Sequence, residues 1–231
     1  MAKTVIASPK AKRNKKRGAS QPAAQRQPRG QRELQSAKRR EAILSAALAE
    51  FSARGFAAAR LEDVARRAGV AKGTIYLHFR DKEMLFQELV RSELSPVVAA
   101  LEAAPIADMP MRAVADRLVD VFVQEVFGTH RKDVIRLIIA EGPRFPAIAG
   151  FYYQEVVARV MAVLRRVAQR AVERGELPND ALVRFPQLLG APGIVAIVWS
   201  GLFDRWAKLD VEAFMRAYLD LIFAKGARHE P

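Results

Sequence analysis

Residues 61–79 constrain the fold of this chain more than any other segment. They contain two very short helical segments separated by the turn Gly69-Val70-Ala71. The small Ala65 and the side-chain-free Gly69 allow the two helix backbones to approach closely, while Ile75 and Phe79, four residues apart, lie on one inward face of the second segment. Two short helices joined by such a turn predict a helix-turn-helix.

The second segment has the outward face of a recognition helix, the element that enters the DNA major groove. Lys72 can donate to guanine edges, and Thr74 can contact a thymine methyl group or a phosphate. Gly73 lets the start of the helix sit close to the DNA. Donors one turn further on are placed to reach phosphates, which set the register of the protein on the duplex. The predicted DNA-binding residues are Arg60, Lys72, Gly73, Thr74, Tyr76, Leu77, His78 and Lys82.

Every other strong pattern after residue 30 is also helical. Apolar residues recur at spacings of three and four, without alternating runs bounded by turn residues. Gly55 fits the left-handed position after the first helix, with Phe56 folding back on the last turn. We therefore predict an all-α fold. Its other helices are expected near residues 33–54, 81–103, 111–127, 131–140, 147–173, 181–203 and 211–224, with Pro192 inside the penultimate one.

Charge is concentrated at the start of the chain. Residues 1–40 contain thirteen basic side chains and one acidic side chain, whereas the remainder has 25 basic and 24 acidic groups. Residues 1–30 have almost nothing to bury, so we expect a disordered basic tail. Two readings of this tail remain open: an extension without a role, or a flexible arm that follows phosphates or enters the minor groove.

The helix-turn-helix segment and the helix before it carry a known pattern. Phe51, Gly55 and Phe56, followed by residues 64–85, resemble the opening pattern of the TetR family of bacterial transcriptional regulators. The Ala140-Glu-Gly-Pro-Arg-Phe-Pro segment is similar to AcrR-like members of that family. The resemblance implies an N-terminal three-helix DNA-binding domain at about residues 31–85. It further implies a larger helical domain, residues 86–231, that dimerises and binds a small apolar or aromatic effector. The expected function is a repressor that releases a palindromic operator when the effector binds.

Two positions depart from the family pattern. Arg60 and Ala71 stand at helix starts, where the family usually has Thr or Ser. Both lack the side-chain oxygen that caps a helix N-terminus, a feature usually worth about 1 kcal/mol. A DNA phosphate could satisfy the free amides instead. Arg60 could also bind a phosphate directly, so these departures alter the expected DNA contacts without changing the class of protein.

The larger domain offers two further sets of candidate residues. Aromatic side chains cluster in its central helices, where most serve the core and some could line an effector pocket. The last two long helices together present more apolar surface than a monomer would leave in water, which predicts a twofold dimer contact. The candidate effector residues are Phe122, Phe127, Phe145, Tyr152 and Trp199, and the candidate dimer residues are Leu188, Ile194, Val198, Leu202, Phe214, Tyr218 and Leu221.

Other classes of protein fit less well. Without Cys the chain has no disulfide framework, thiolate nucleophile or Cys-ligated metal site, so we expect a cytoplasmic protein. No hydrolase, zinc-protease or dinucleotide motif is present, and we predict neither an enzyme nor a cofactor. His130 and Asp133 more plausibly belong to a solvated face than to a metal site. Residues 185–203 contain two prolines and three glycines, which favours an interface helix over a membrane span.

One rival from another class stays open. A constitutive architectural protein could coat DNA through the basic tail and need no effector. Such a protein would bind all duplexes about equally, whereas a specific regulator binds its site typically 10³-fold or more tightly than random DNA. The sequence does not specify the effector, the operator or the regulated genes.

Overall fold

The structure is a computed structural model and describes residues 29–106 and 109–223. The expected disordered tail, apart from its last two residues, lies outside these ranges, as does the end of the chain. Within the described residues all regular secondary structure is helical and no strand occurs, which confirms the predicted all-α class.

Eleven numbered helices, two of them extended by π-helical turns, follow one another in the described ranges. The first four are α1 (Arg29–Ala58), α2 (Leu61–Arg67), α3 (Lys72–His78) and α4 (Lys82–Ala103). The others are α5 (Met111–Val121) with a π-helical turn (Phe122–Phe127), α6 (Arg131–Glu141), α7 (Pro146–Tyr152) with a second π-helical turn (Tyr153–Val157), α8 (Ala158–Glu173), α9 (Ala181–Arg184), α10 (Gln187–Leu202) and α11 (Val211–Phe223).

A sharp kink interrupts α1 at Gly55. Its φ of 74° is positive, as expected, but its ψ of 161° lies outside the left-handed helical region. This combination is essentially restricted to glycine. The kink turns Phe56 back into the core, where its ring lies 5.4 Å from that of Phe51 and 5.6 Å from that of Phe86. The chain thereby leaves α1 and enters α2 in a new direction.

The helix predicted over residues 181–203 is instead two helices, and the prediction was wrong at one point. The helix is interrupted at Phe185 and Pro186, between α9 and α10. A residue that precedes proline is disfavoured in the helical region, and Phe185 has a φ of −126° and a ψ of 66°. Pro192, which we expected to leave backbone groups unpaired, stays inside α10. The Leu188 carbonyl, which lacks a helical donor because Pro192 has no N–H, accepts a 2.7 Å hydrogen bond from the Tyr218 hydroxyl of α11.

The core has three parts that α4 and α5 connect. The largest joins α1 to α4 with α6, α7 and α10, the second joins α5, α8 and α9, and the third joins α5, α10 and α11. Helix α4 packs Leu85 and Phe86 against the N-terminal helices, and it buries Leu94 and Val98 further along the same helix. The predicted domain boundary near residue 85 therefore falls inside a continuous helix.

Two apolar helices bear on the membrane question. The run Pro146–Glu173 has 28 residues and is long and apolar enough to cross a membrane by length and composition alone. Its C-terminal half, however, buries Val163, Val167 and Ala171 in the second core cluster. Helix α10 has only 16 residues, fewer than the roughly 20 needed to span a bilayer.

Asp81 is expected to stabilise the start of α4. Its side chain accepts a 2.8 Å hydrogen bond from the backbone N–H of Met84, and this bond lowers the pKa of Asp81 below its usual range. We expect Asp81→Ala to lower the free energy of unfolding at pH 7 by about 1 kcal/mol, measured by urea denaturation at equal protein concentration.

Asp81→Asn is the matched control, because it retains a capping oxygen without the charge. A lowered folded-state pKa stabilises the protein above the unfolded pKa, and this stabilisation is lost as the pH falls through the folded value. The difference between wild type and Asp81→Asn should therefore shrink below about pH 4. An alanine variant as stable as wild type would show that the cap contributes nothing.

Candidate nucleic-acid interface

The geometry of α2 and α3 follows from their short apolar faces. Ile75 and Phe79 are 0% and 5% exposed, which confirms the predicted inward face of the second helix, and the small Ala65 of α2 is 2% exposed. The turn between them is closed by a 2.9 Å hydrogen bond from the Val70 N–H to the Ala65 carbonyl. Gly69 supports this turn with a φ of 68°. The buried faces therefore leave the opposite side of α3 free.

That free side carries most of the predicted DNA contacts. Lys72, Tyr76 and His78 are exposed, and Leu77 is 85% exposed, an unusual position for a large apolar side chain. A thymine methyl group could cover Leu77 in a complex. A Cβ atom built at Gly73 would meet no atom within 4 Å, so this end of α3 is open to a close approach. The residues of α3 predicted to contact DNA are thus exposed, except Thr74, which is half-buried.

Glu62 of α2 pairs with two hydrogen-bond donors on this face, Lys72 and Tyr76. Its Oε1 atom accepts a 2.8 Å hydrogen bond from the Tyr76 hydroxyl and lies 3.0 Å from Lys72 Nζ. The ammonium group of Lys72 also lies 5.9 Å from the centre of the Tyr76 ring. We did not predict this contact from the sequence, because Glu62 is ten residues from Lys72 and only the helix crossing brings them together.

The electrostatics of the cluster are those of a strongly ionised carboxylate. A hydrogen bond from its own backbone N–H, followed by those from Lys72 and Tyr76, lowers the pKa of Glu62 to about 2. The hydrogen bond to Glu62 in turn raises the pKa of Lys72 and that of Tyr76. At neutral pH both donors are therefore paired with a charged carboxylate, and a DNA phosphate that used either of them would have to compete with it.

Lys82 has a different neighbourhood from the one expected. Its Nζ atom donates to the carbonyls of Phe56 at 2.8 Å and Ala57 at 2.6 Å, and lies 4.9 Å from the centre of the Phe56 ring. The ammonium group thus caps the end of α1, and a phosphate contact would have to draw it away from these carbonyls. Arg60 is exposed before α2, and neither Arg60 nor Ala71 provides a side-chain cap.

The five candidate effector residues do not form one pocket. Phe122 and Phe127 lie near each other, with ring centres 6.3 Å apart. The Tyr152 hydroxyl is largely removed from water, and this burial raises the pKa of Tyr152 to about 12. Phe145, however, packs edge-on against Phe56 at 4.9 Å, at the junction with the N-terminal helices. Trp199 is 37% exposed on α10, and its indole N–H donates to the Ala207 carbonyl at 2.7 Å.

Sequence reasoning missed a cleft between α4 and α5. Its volume is about 310 Å³, and its lining is mostly apolar, with Arg117, Glu125 and Arg131 as charged members. No candidate effector residue lines it, although Phe122 directly follows the lining residue Val121. Periodicity could not reveal this cleft, because its two walls come from separate helices. The apolar lining includes Pro96, Val97, Ala100, Leu101, Leu118 and Val121.

The candidate dimer residues lie on an apolar face of α10 and α11. Leu188, Ile194, Leu202 and Leu221 are 41%, 48%, 58% and 78% exposed. Val198, Phe214 and Tyr218 are half-buried beneath them. Further large side chains that we did not single out extend the exposed face to the end of α10 and beyond, namely Val195, Phe203 and Trp206.

Metal binding finds no support in the positions of His130 and Asp133. His130 Nε2 lies 2.7 Å from a carboxylate oxygen of Glu93, while Asp133 pairs with Arg136 at 2.8 Å. Across residues 29–106 and 109–223 no group of three His, Cys, Asp or Glu side chains could hold a metal ion.

Comparison with known proteins gives two consecutive family matches. Residues 43–89 match the family described as "Bacterial regulatory proteins, tetR family", and residues 109–222 match "Tetracyclin repressor-like, C-terminal domain". The transcriptional repressor BepR of Brucella suis biovar 1 is 32% identical over 63% of this chain and 72% of its own length. The regulator SrpR of Pseudomonas putida is 28% identical over 60% of this chain, which spans 63% of SrpR.

A solved structure extends the likeness to the whole fold. SmeT, a repressor of a Stenotrophomonas maltophilia multidrug efflux pump, has been solved in complex with triclosan. That structure superposes with a TM-score of 0.67 at 21% identity, over 80% of this chain and 90% of SmeT. At this identity the likeness concerns the fold alone.

The competition at Glu62 predicts a gain of DNA affinity when its charge is removed. Glu62→Gln should raise the affinity for a random-sequence duplex about two- to fivefold, because Lys72 and Tyr76 become available to phosphates. Fluorescence anisotropy at fixed salt would measure this change.

Asp63→Asn is the matched control, since Asp63 lies on the same helix but pairs with Arg54 and Arg66. An equal gain of DNA affinity in both variants would mean that the effect comes from net charge. No gain in Glu62→Gln would show that Glu62 does not compete with DNA for Lys72 and Tyr76.

Proposed function

The chain belongs to the TetR family of DNA-binding, ligand-responsive transcriptional regulators, and from this premise we propose that it acts as a homodimeric repressor. In this proposal two copies of α3 enter successive major grooves of a palindromic operator in the cytoplasm. A small apolar or aromatic effector then favours a different arrangement of the two copies and releases the DNA.

The observation that carries this proposal is the accessible face of α3. The side chains of Lys72, Tyr76, Leu77 and His78 are exposed on α3, while Ile75 on its other side is fully buried. The exposed side of α3 is therefore available to contact DNA. Phosphate contacts from such side chains position the protein, and contacts of Lys72 and Leu77 with base edges give sequence preference.

Twofold symmetry links this face to the apolar surface of α10 and α11. A palindromic site requires two recognition helices about 34–36 Å apart, which only a dimer supplies. The seven candidate dimer residues lie far from α3 in the sequence and on a separate face. Their contact with the same residues of a second copy would bury an apolar surface that a monomer leaves in water.

Leu202 is well placed to test the dimer, being 58% exposed. Leu202→Arg should yield monomers in analytical ultracentrifugation, because two guanidinium groups would face each other across the twofold contact. It should also lose at least tenfold in affinity for a duplex selected from a random library by the wild-type chain, while binding random duplex as before.

The matched control is Tyr153→Arg, since Tyr153 is 59% exposed on a different face. A Leu202→Arg variant that remains dimeric would place the interface elsewhere. If the wild-type chain enriched no sequence and its affinity depended on salt alone, the rival interpretation, an architectural DNA-binding protein, would replace the repressor.

An aromatic effector is suggested by the triclosan complex of SmeT together with the cleft between α4 and α5. This cleft of about 310 Å³ is near the lower end of the range for small-molecule sites. We propose that the effector enters it and extends toward Phe122 and Phe127, which follow α5. Tyr152, Phe145 and Trp199 remain candidates for a larger pocket that opens only when an effector binds.

Reciprocity provides the test of the effector. If a ligand weakens DNA binding a hundredfold, equivalent to about 2.7 kcal/mol, DNA must weaken the ligand by the same factor. Triclosan binding, measured by calorimetry with and without the selected duplex, should therefore differ in affinity.

Ala100→Phe should fill the cleft, abolish triclosan binding and leave DNA binding intact. Equal triclosan affinity with and without the duplex would exclude release by this ligand. Undiminished binding to the Ala100→Phe variant would place the ligand outside the cleft.

A further inference from the structure

Glu141, the last residue of α6, is a buried carboxylate in contact with the N-terminal helices. It is 9% exposed, and its Oε1 atom accepts a 3.1 Å hydrogen bond from the backbone N–H of Phe56. Its Oε2 atom is also buried and has no hydrogen-bond partner among the described residues. A buried polar atom without a partner costs free energy. Stability alone therefore gives a poor reason for a carboxylate here.

The backbone opposite Glu141 is shaped to receive it. A Cβ atom at Gly55 would lie 2.6 Å from Glu141 Oε1, closer than real Cβ contacts. Gly55 thus meets two demands at once: a positive φ, and room for the carboxylate. The N–H of the next residue, Phe56, then points at the same oxygen, so the kink of α1 and the end of α6 fit each other.

This bond connects the helix-turn-helix to the larger domain. Residues 56–60 lead from the kink into α2, and the other polar links that we find from residues 29–81 to the rest of the described chain go to α4, such as the ion pair of Arg40 with Glu88. Between α1 and α6 lies an open groove of about 590 Å³. Apolar residues of α1 and α6 pack together in the largest core cluster, and the Glu141 bond adds a directional polar link at the end of that contact.

The middle of α6 is bonded to α10 in a comparable way. Arg136 donates to the Ile197 carbonyl at 3.2 Å and to the Ser200 hydroxyl at 2.6 Å. Gly201 allows this approach, since a Cβ there would lie 3.1 Å from Arg136 Nε. One rigid helix of 11 residues therefore holds the kink of α1 at its end and the proposed dimer helix near its centre.

We propose that Glu141 is a positioning residue for DNA recognition: through Phe56 it sets the orientation of the helix-turn-helix relative to α10. In a dimer this orientation determines the distance between the two recognition helices. Displacement of α6 then changes that distance through the Glu141 bond. The inference rests on the proposed function and adds the residue that connects the two domains.

Loss of this bond should affect specific binding more than general affinity. A palindromic site requires both recognition helices at one spacing. Random duplex is held largely through phosphates, which tolerate many orientations of the protein. A head that is folded but loosely oriented would therefore lose its preferred sequence first.

The experiment compares Glu141→Ala, Glu141→Gln and the control Asp133→Asn in the full-length chain. Asp133 is the other acidic residue of α6 and lines the same groove, and asparagine keeps an acceptor for its partner Arg136. Affinity is measured for the library-selected duplex and for random duplex. We expect Glu141→Ala to bind the selected duplex about tenfold more weakly and random duplex within twofold of wild type. Glu141→Gln keeps an acceptor for the Phe56 N–H and should restore most of the selectivity, and Asp133→Asn should resemble wild type.

Hydrogen exchange provides a readout that does not depend on DNA. The amide of Phe56 should exchange faster in Glu141→Ala than in wild type, Glu141→Gln or Asp133→Asn, while α3 keeps its protection. If the wild-type chain selects no sequence, the proposed function fails, but this measurement still tests the bond. Unchanged exchange at Phe56 together with unchanged selectivity in Glu141→Ala would overturn the inference, as would equal losses for both duplexes.

A double variant covers the case in which Glu141→Ala fails to fold. Gly55→Ala clashes with the carboxylate only when Glu141 is present, whereas its backbone strain is the same in both backgrounds. Gly55→Ala should lower the Tm of the wild type more than that of Glu141→Ala, or, if the alanine variant is unfolded, more than that of Glu141→Asp, whose shorter carboxylate reaches less far toward Gly55. Equal shifts would show that Glu141 does not contact the kink.

Discussion

The structure depends on how Phe56 is held. Its ring packs against Phe51 and Phe86, and Phe145 approaches it from the larger domain at 4.9 Å. Its N–H donates to Glu141, and its carbonyl accepts a hydrogen bond from Lys82. The ring, the N–H and the carbonyl of this residue thus all have partners, which lie in α1, α4, α6 and at the start of α7. Because Phe56 follows the kink at Gly55, these contacts together determine the direction in which α2 and α3 leave the first helix.

Two helices carry this arrangement into the rest of the molecule. Helix α4 passes continuously from the N-terminal core to the larger domain and forms one wall of the cleft proposed for the effector. Helix α6 joins the kink to α10 through side-chain hydrogen bonds rather than through a continuous backbone. An effector between α4 and α5 would act on the first connection directly, and any movement that reached α6 would act on the second. Regulation then needs only small shifts of packed helices.

The exposed face of α3 carries a carboxylate that competes for its own donors. Glu62 pairs with Lys72 and accepts a hydrogen bond from the Tyr76 hydroxyl, so that both donors are already satisfied in the absence of DNA. In the proposed function this carboxylate competes with base edges for Lys72 and with phosphates for Tyr76. A duplex must then displace Glu62 from both donors before they can bind DNA.

Much of the fold and part of the site followed from sequence patterns. The helix-turn-helix was predictable because its signals are local: small residues at the turn, and apolar residues four apart on α3. The break at Pro186 and the continuity of α10 through Pro192 were not, since a proline is tolerated inside a helix where another group donates a hydrogen bond to the carbonyl that it leaves free. Tyr218 provides that group, and it lies 30 residues beyond Leu188.

The site shows the same division. Periodicity placed Lys72, Tyr76 and His78 on an exposed face, and it placed Leu202 and Leu221 on another. It did not reveal that Phe122 and Phe145 pack partly buried against the largest core cluster while Trp199 is 37% exposed on α10, and the effector site stays a prediction. The Lys82 side chain likewise caps the end of α1, where it donates to the carbonyl of Ala57, 25 residues earlier in the chain.

By itself the sequence determined the all-α class, the position of most helices and the helix-turn-helix with its inward residues on α3. Backbone geometry enforces these features within a few residues, so they need no knowledge of distant partners. Only the tertiary structure decided that Glu62 pairs with Lys72 and Tyr76, that α4 and α5 enclose a cleft, and that Glu141 reaches the kink of α1. Those contacts depend on the crossing angles and separations of whole helices, which arise when all the apolar faces pack into one core.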